Sequence, residues 1–433
     1  MKNWPGLFIK YPLFFVSPDI KRGLGLEDLL PDFHLICSYY DSLIPVLRRN
    51  KVKILCLQES ADKPENIINN SGSLLSKSPV LNYIRSNSGK IPAVAFFKPS
   101  LKIDFLLKKY KFIKVGNNYE QNEKFENKIK FLQIFSKLIP DYLTPFTIEK
   151  LHDLEFSCLA AKFKLPFVIQ FGHGWAGKTT FFISGESSFN KLKNTFPQTT
   201  VKVSRYINGF TVLNNCCLYK DKVLVSPPAL QINGFSKLSS RQYVTCGRQW
   251  PLIPFEKSTV SDIFKLSQKI GRIMNKSGFK GYFGLDFLIE GNSGRLYVSE
   301  INGRLTAASA FYAKLERGKD LIPLLAYHYA SFLGIDLPVE EISPLISGSQ
   351  VIIRNLQTDK KINLNLNGVY QISGKKIEYQ FDDYRPQDLK ENQFIYHQEK
   401  IIKTDSEISR IESLRQALSS PFKLSPWLVT LLA

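Results

Sequence analysis

Two carboxylates and an amide recur at a spacing suited to holding a metal ion. In Tyr282-Phe283-Gly284-Leu285-Asp286-Phe287-Leu288-Ile289, strict alternation puts Phe283, Leu285, Phe287 and Ile289 on one face of a strand. Gly284, Asp286 and Leu288 take the other face. In Leu296-Tyr297-Val298-Ser299-Glu300-Ile301-Asn302, the same alternation places Glu300 and Asn302 on a face with Leu296 and Val298. The intervening Gly291-Asn292-Ser293-Gly294 reads as a turn. If Glu290 pairs with Leu296, then Leu288 lies opposite Val298 and Asp286 opposite Glu300. Such neighbours have Cβ atoms about 4.5–5.5 Å apart, and two carboxylates that close repel unless a cation sits between them. Asn302 adds a neutral oxygen, completing a hard-oxygen set suited to Mg²⁺ with positions left for phosphate and water. A solvated acidic pair is the alternative, but both strands are otherwise apolar, which argues for burial.

A second cluster is Gly172-His173-Gly174-Trp175-Ala176-Gly177-Lys178-Thr179. Gly172, Gly174 and Gly177 let the backbone approach a phosphate without Cβ clashes, and Lys178 and Thr179 add a charge and a hydroxyl. The run fits the Walker A pattern GxxxxGK[ST] letter for letter. That pattern needs a helix directly after the loop. Here Thr179-Thr180-Phe181-Phe182-Ile183 follows, β-branched and aromatic, so a returning strand is expected. The five histidines (His34, His152, His173, His328, His397) are scattered and read as structural or surface residues, His173 in the loop excepted. Arg248 and Arg354 leave two readings open: reception of a substrate carboxylate, or ordinary surface salt bridges.

Several elements must position these groups. At 433 residues the chain exceeds one ordinary core, so two or three domains are expected. Short apolar strands at 13–16, 34–37, 53–57, 93–97 and 111–115, with a helix over 42–49, give a βαβ-type signature for a small open α/β domain over residues 1–125. It has no GxGxxG, so nothing there supports a dinucleotide site. Residues 127–138 read as a helix, with strands at 167–171, 179–183, 201–207 and 211–219, the last two joined around Asn208-Gly209. An amphipathic helix over 261–277 puts Ile263, Leu266, Ile270 and Ile273 on one face, with Gly278 at its C-terminal cap. From Val351 the pattern turns β-rich, with a last helix expected over about 407–418. Residues 126–340 thus read as a central domain with a lid subdomain at about 145–203, and 345–433 as a small β-rich accessory domain.

Lys and Arg outnumber Asp and Glu by 58 to 38, which favours anionic partners. The lysines are spread among Asn, Ile and Phe with no basic block interleaved with aromatics, so nucleic acid is not the expected partner. Six cysteines form no CxxC pair, and Cys216-Cys217 sit in an apolar run, which suits buried thiols and a reducing cytoplasm. No stretch approaches the roughly 18 apolar residues of a membrane span, so no membrane role is expected.

The motifs together resemble the ATP-grasp superfamily. Gly281-Tyr282-Phe283-Gly284-Leu285-Asp286 and Tyr297-Val298-Ser299-Glu300-Ile301-Asn302-Gly303-Arg304 are similar to its metal-binding signature, the E-x-N-x-R run being most specific. Asn127-Lys128 resembles the lysine that opens the nucleotide-binding region, residues 166–180 the strand and glycine-rich lid loop, and Val203-Ser204-Arg205-Tyr206-Ile207-Asn208-Gly209 the hinge against adenine. The likeness covers about residues 126–335, and the N-terminal unit resembles the domain that usually precedes it. It implies α/β and α+β architecture, with two α+β subdomains clamping ATP. Asp286, Glu300 and Asn302 would coordinate two Mg²⁺ ions (Mn²⁺ as an alternative), Lys128 would contact the phosphates, and the backbones of Arg205 and Ile207 would face the adenine. Arg304 would stabilise a phosphorylated intermediate. The sequence departs from the pattern at Gln170, where many members have a lysine, at Ser204, where an acidic residue is frequent, and at Asp286, where a Glu is usual. Gln170 could donate its amide N–H to the nucleotide, or Lys178 could supply the missing charge.

The activity implied is an ADP-forming carboxylate–amine ligase acting on small-molecule or peptide substrates, with a homodimer left open. An ATP-grasp kinase on a phosphorylated polyol is a second reading; those kinases tend to end the metal motif in Asp-x-Asn, unlike Glu300-x-Asn302-x-Arg304. A non-catalytic nucleotide-binding protein, motivated by Gln170, is the third.

Overall fold

The computed structural model describes residues 3–60, 68–174, 179–241, 243–251, 255–339, 346–356, 360–361, 366–399, 401–402 and 406–432. The N-terminal strands β1 (Leu13–Val16), β2 (Phe33–Cys37), β3 (Lys53–Cys56), β4 (Ala93–Phe96) and β5 (Ile113–Val115) form a parallel sheet of order β3-β2-β1-β4-β5. Helix α1 (Ile44–Arg49) crosses over between β2 and β3, as the βαβ pattern implies. Strands β1 and β4 are buried along their whole length, which is why they read as unbroken apolar runs. The strand order reverses between β1 and β4, so their carboxyl ends flank a crevice of the kind where open α/β sheets receive ligands.

Two helices follow, α2 (Tyr119–Glu126) and α3 (Lys128–Phe135). They are separated by Asn127, whose side chain caps α3 by accepting from the amides of Ile129 and Lys130. An antiparallel sheet comes next: β6 (Phe146–Lys150), β7 (Phe167–Phe171), β8 (Thr180–Ile183) and β9 (Thr200–Arg205), in the order β6-β9-β7-β8. Its core includes Leu159, Phe163, Phe167, Ile169, Val201 and Val203. The glycine-rich loop leads into the strand β8, which pairs with β7 from Phe167↔Ile183 to Gln170↔Thr180. With a strand there, the helix that a P-loop requires is absent, and the Walker A match is a coincidence of letters.

The chain then crosses to the main sheet. Its strands are β10 (Gly209–Tyr219), β11 (Lys222–Val225), β12 (Ala229–Gln231) and β13 (Gly247–Trp250). Helix α4 (Lys257–Lys276), the hairpin β14 (Gly281–Glu290) and β15 (Leu296–Asn302), and helices α5 (Ser309–Arg317) and α6 (Leu324–Leu333) come next. Strands β16 (Gly348–Arg354), β17 (Gly368–Ser373), β18 (Lys376–Phe381), β19 (Gln393–Gln398) and β20 (Glu407–Ser413) complete it. The order is β15-β14-β10-β12-β13-β16-β20-β19-β17-β18, with β11 also on β10. Thus β9 and β10, neighbours in sequence, belong to different sheets, and residues 206–208 are the crossing. Gly209 begins β10 opposite Glu290, where a Cβ would overlap the carbonyl of Ile289.

Helix α4 begins four residues before the expected start and buries Ile263, Leu266, Ile270 and Met274 against the main sheet. Gly278 follows it at φ +81°, as a C-terminal cap requires. The helix expected over 407–418 is not formed: residues 407–413 are strand β20, paired with β16 and β19. The spacing of Ile408, Ile411 and Leu414 suits a helix, but pairing on both edges and burial of Ile411 in the core decide for strand. The last helix is instead Pro426–Leu431.

Candidate active site

The β14–β15 hairpin is the base of the site. Asp286 pairs with Glu300 and Gly284 with Asn302, so the inner register is as the alternation implied. The outer register differs by one: Ile289 faces Leu296, Leu288 faces Tyr297 and Phe287 faces Val298. A bulge between Asp286 and Phe287 takes up the difference, with Ser299 as the extra residue. The bulge also reverses the parity of β15. Leu296, Val298 and Ile301 enter the core with Phe283, Leu285, Phe287 and Ile289. Glu300 and Asn302 therefore lie on the face opposite Leu296 and Val298, not beside them, and turn with Asp286 into a cavity of about 870 Å³.

Contacts tie these side chains together. Lys128, at the start of α3, places its Nζ 2.6 Å from Glu300 Oε2. Asn302 donates from Nδ2 to Asp286 Oδ1 (3.3 Å) and accepts at Oδ1 from Arg304 Nη2 (3.0 Å). Arg304 also donates from Nε to Glu126 Oε1 (3.2 Å), and Glu126 takes a further ion pair from Lys98 at 2.8 Å. Burial, and then the adjacent Glu300 charge, push Asp286 well above the usual carboxylate range. Burial acts the same way on Glu300, but Lys128 and the hydrogen bond to Asp286 outweigh it and bring Glu300 down to about 2. The pair thus shares its proton unequally, as two half-buried carboxylates facing each other do.

The lid sheet forms the other wall. Gln170 and Thr180 lie opposite each other there, and Gln170 Nε2 donates to Thr180 Oγ1 at 3.2 Å. Gly172 accepts at its carbonyl from the Lys128 amide (2.9 Å), and a Cβ there would fall 2.9 Å from Asn127 Oδ1. Gly172 is thus needed for close contact between the loop and the cap of α3. A Cβ on Gly174 would overlap the Thr179 hydroxyl, so this glycine serves the closure of the loop on itself. His173 reaches back to Glu123 (3.1 Å) and Asn127 (3.2 Å). Gly177 and Lys178 lie outside the described residues.

At the crossing between the sheets, Arg205, Tyr206 and Ile207 line the cavity. The Arg205 guanidinium is held by Glu290 (3.0 Å) and donates to Tyr297 (2.9 Å). Phe182 stacks on Tyr243 at 3.7 Å between ring centroids, with Tyr206 edge-on to Phe182 at 5.8 Å. That aromatic wall suits a planar base.

The structure adds residues that sequence reading did not single out: Glu126, Lys202 and the aromatic wall. Lys202 was detectable, because Val201 and Val203 bracket it on the core face and put it on the cavity face with Ser204. Glu126 and Tyr243 carry no local signal of this kind. Arg248 is 4% exposed, so the surface salt-bridge reading fails for it, and its Nε has no hydrogen-bond partner. Arg354 donates to the Thr245 carbonyl at 3.0 Å. His34, His328 and His397 are buried and His152 lies at the surface beside Asp153, all apart from the cavity.

No protein-family model and no curated protein sequence matches the chain. Solved structures do. N5-carboxyaminoimidazole synthase from Aspergillus clavatus, in complex with ADP and 5-aminoimidazole ribonucleotide, superimposes with a TM-score of 0.62 at 9% identity, over 98% of this chain and 99% of that one. Biotin carboxylase from Campylobacter jejuni, solved with an ATP analogue, gives 0.60 at 14% identity over 94% and 88%. N5-carboxyaminoimidazole ribonucleotide synthetase from Thermotoga maritima gives 0.57 at 11% over 93% and 92%. These enzymes share the ATP-grasp fold, and this chain has that fold along nearly its whole length. Among the described residues, no helix is long and apolar enough to cross a membrane.

Proposed function

We propose that the chain is an ADP-forming ligase that activates a carboxylate as an acyl phosphate and joins it to an amine, in a reducing cytoplasm that keeps its cysteines as thiols. The observation that carries this reading is the contact network of Asp286, Glu300, Asn302, Lys128 and Arg304 on the wall of one cavity. ATP lies between the two sheets, its adenine at the backbones of Arg205 and Ile207 beside the aromatic wall. Its phosphates run past Lys128 toward Asp286 and Glu300.

The donor set fits a divalent cation, because Asp286 and Glu300 face each other across the strands and a hard cation satisfies both charges. Asp286, Glu300 and Asn302 would hold Mg²⁺, two ions with Mn²⁺ as a substitute, and the metal would supply positive charge to offset that of the phosphates. A substrate carboxylate oxygen attacks the terminal phosphorus and ADP leaves. The amine nitrogen then attacks the acyl carbon, loses a proton and expels phosphate. Lys128 and Arg304 stabilise the charge on the transferred group. The carboxylate enters from the crevice at the ends of β1 and β4. There Arg22 and Arg304 both stand over the Phe97 ring, at 4.7 and 5.2 Å.

A panel of carboxylate and amine pairs, followed by ADP release, tests the reading. ADP and free phosphate released in equal amounts, only when both substrates are present, is the expected result. Phosphate retained on a product, or tight ATP binding without turnover across the panel, would overturn it.

A further inference from the structure

Lys202 lies in the middle of β9, with Gln170 opposite it on β7 and Ile148 on β6. It is 5% exposed and lines the cavity beside Lys128, Gln170, Thr180 and Glu300. Among the described residues its side chain makes no hydrogen bond or ion pair. Glu300, the carboxylate whose charge acts on it, is held by Lys128 at 2.6 Å. Burial, and then the like charge of Lys128, pull the Lys202 ammonium down to about 8. A buried ammonium without a counter-charge is unfavourable and calls for an anion. Its cross-strand neighbour Gln170 is neutral, and the Gln170 amide is directed to Thr180.

We infer that Lys202 is the cation of the lid sheet that receives a nucleotide phosphate, one common to ADP and ATP, in the place that Gln170 leaves uncharged. The inference rests on the nucleotide site proposed above. Residues 170 and 202 are direct neighbours across the β7–β9 ladder, where side chains on one face stand about 4.5–5.5 Å apart at Cβ. A charge moved from one strand to the next therefore still reaches the same phosphate, because a lysine stem spans more than that distance. Lys202 also lies three residues before Arg205, and both line the cavity that Glu300 lines. That position separates its role from that of Lys128, which sits against the carboxylates.

Calorimetric titration of the full chain with ADP and with adenosine tests this. Lys202→Gln should weaken ADP binding about tenfold to a hundredfold while adenosine affinity stays within about twofold. Adding Gln170→Lys to that variant should restore most of the ADP affinity, since the charge returns to the adjacent strand. ADP affinity unchanged in Lys202→Gln overturns the inference, and so does an equal loss for ADP and adenosine, which would mark a damaged pocket. A measurement on the unaltered protein guards against a variant that fails to fold. Acylation of Lys202 by a lysine-selective reagent, read by peptide mass spectrometry, should be suppressed by ADP and not by adenosine. Equal labelling with both ligands overturns the inference. An unaltered chain that binds neither ADP nor ATP would instead overturn the nucleotide site itself.

Discussion

The two walls of the cavity are built on opposite electrostatic plans. On the hairpin side every charged group has a partner: Glu300 has Lys128, Asp286 has the Asn302 amide, and Arg304 has Glu126 and Asn302. On the lid side, Lys202 is buried with no partner among the described residues, and its neighbour Gln170 is neutral. The hairpin wall is therefore organised before any ligand arrives, as charge stabilisation of a transferring group requires. The lid wall is organised only when an anion enters. Under the proposed function, this difference would set nucleotide affinity on the lid and chemistry on the hairpin.

The largest effect that would break this division is expected from Glu300→Ala. It removes one of the two facing carboxylates and the partner of Lys128. ADP release should fall by about a hundredfold to a thousandfold, and ATP binding should lose its response to Mg²⁺. Normal turnover in that variant, with an unchanged circular dichroism spectrum, would remove the hairpin from the chemistry altogether. Next in size, Lys128→Ala should raise the apparent KM for ATP about tenfold. Its failure to move KM would leave Lys128 as a structural partner of Glu300 only.

Asp286→Asn sharpens the comparison through stability. Burial and Glu300 hold Asp286 well above its ordinary value of 3.8, so the folded state disfavours its charge. Folding stability tied to this group is fully present below pH 3.8 and is lost as pH rises through the raised folded value. The neutral Asn removes that loss. The nucleotide-free variant should melt higher at neutral pH, by about 1 kcal/mol or more, with the gain shrinking toward pH 3.8. It should also gain less from added Mg²⁺ and ADP than the unaltered chain does. A melting temperature equal to that of the unaltered chain at all pH values would mean the pair carries no strain.

The smallest effect belongs to the lid loop. Gly174→Ala introduces a Cβ that overlaps the Thr179 hydroxyl and displaces the loop. Nucleotide affinity should drop only a few-fold, with stability changed by less than about 1 kcal/mol, because Gly174 is exposed. A loss as large as that for Lys128→Ala would put the loop, rather than Lys202, in charge of the phosphates.

What local pattern alone determined was considerable. Apolar runs defined the central strands β1 and β4, because a strand buried on both faces has to be apolar throughout. The aromatic and β-branched run after Lys178 pointed to a returning strand rather than the helix of a P-loop, and the β7–β8 pairing bears that out. Alternation in β14 put Asp286 on the face that lines the cavity, and the residues of the E-x-N-x-R run line the same cavity. Only the tertiary structure decided the rest. The bulge at Ser299 could not be read from β15, because it exists in the pairing of two strands and not in either one. Pairing also overrode the helical spacing of residues 407–418, since β16 and β19 bury Ile411 between them. The cation of the lid wall stands on β9 opposite Gln170, a neighbour thirty-two positions away in sequence that the β7–β9 ladder brings to contact. Side-chain periodicity is a property of one strand and is written in its residues; which charges meet across a ladder depends on register, which only the folded chain supplies.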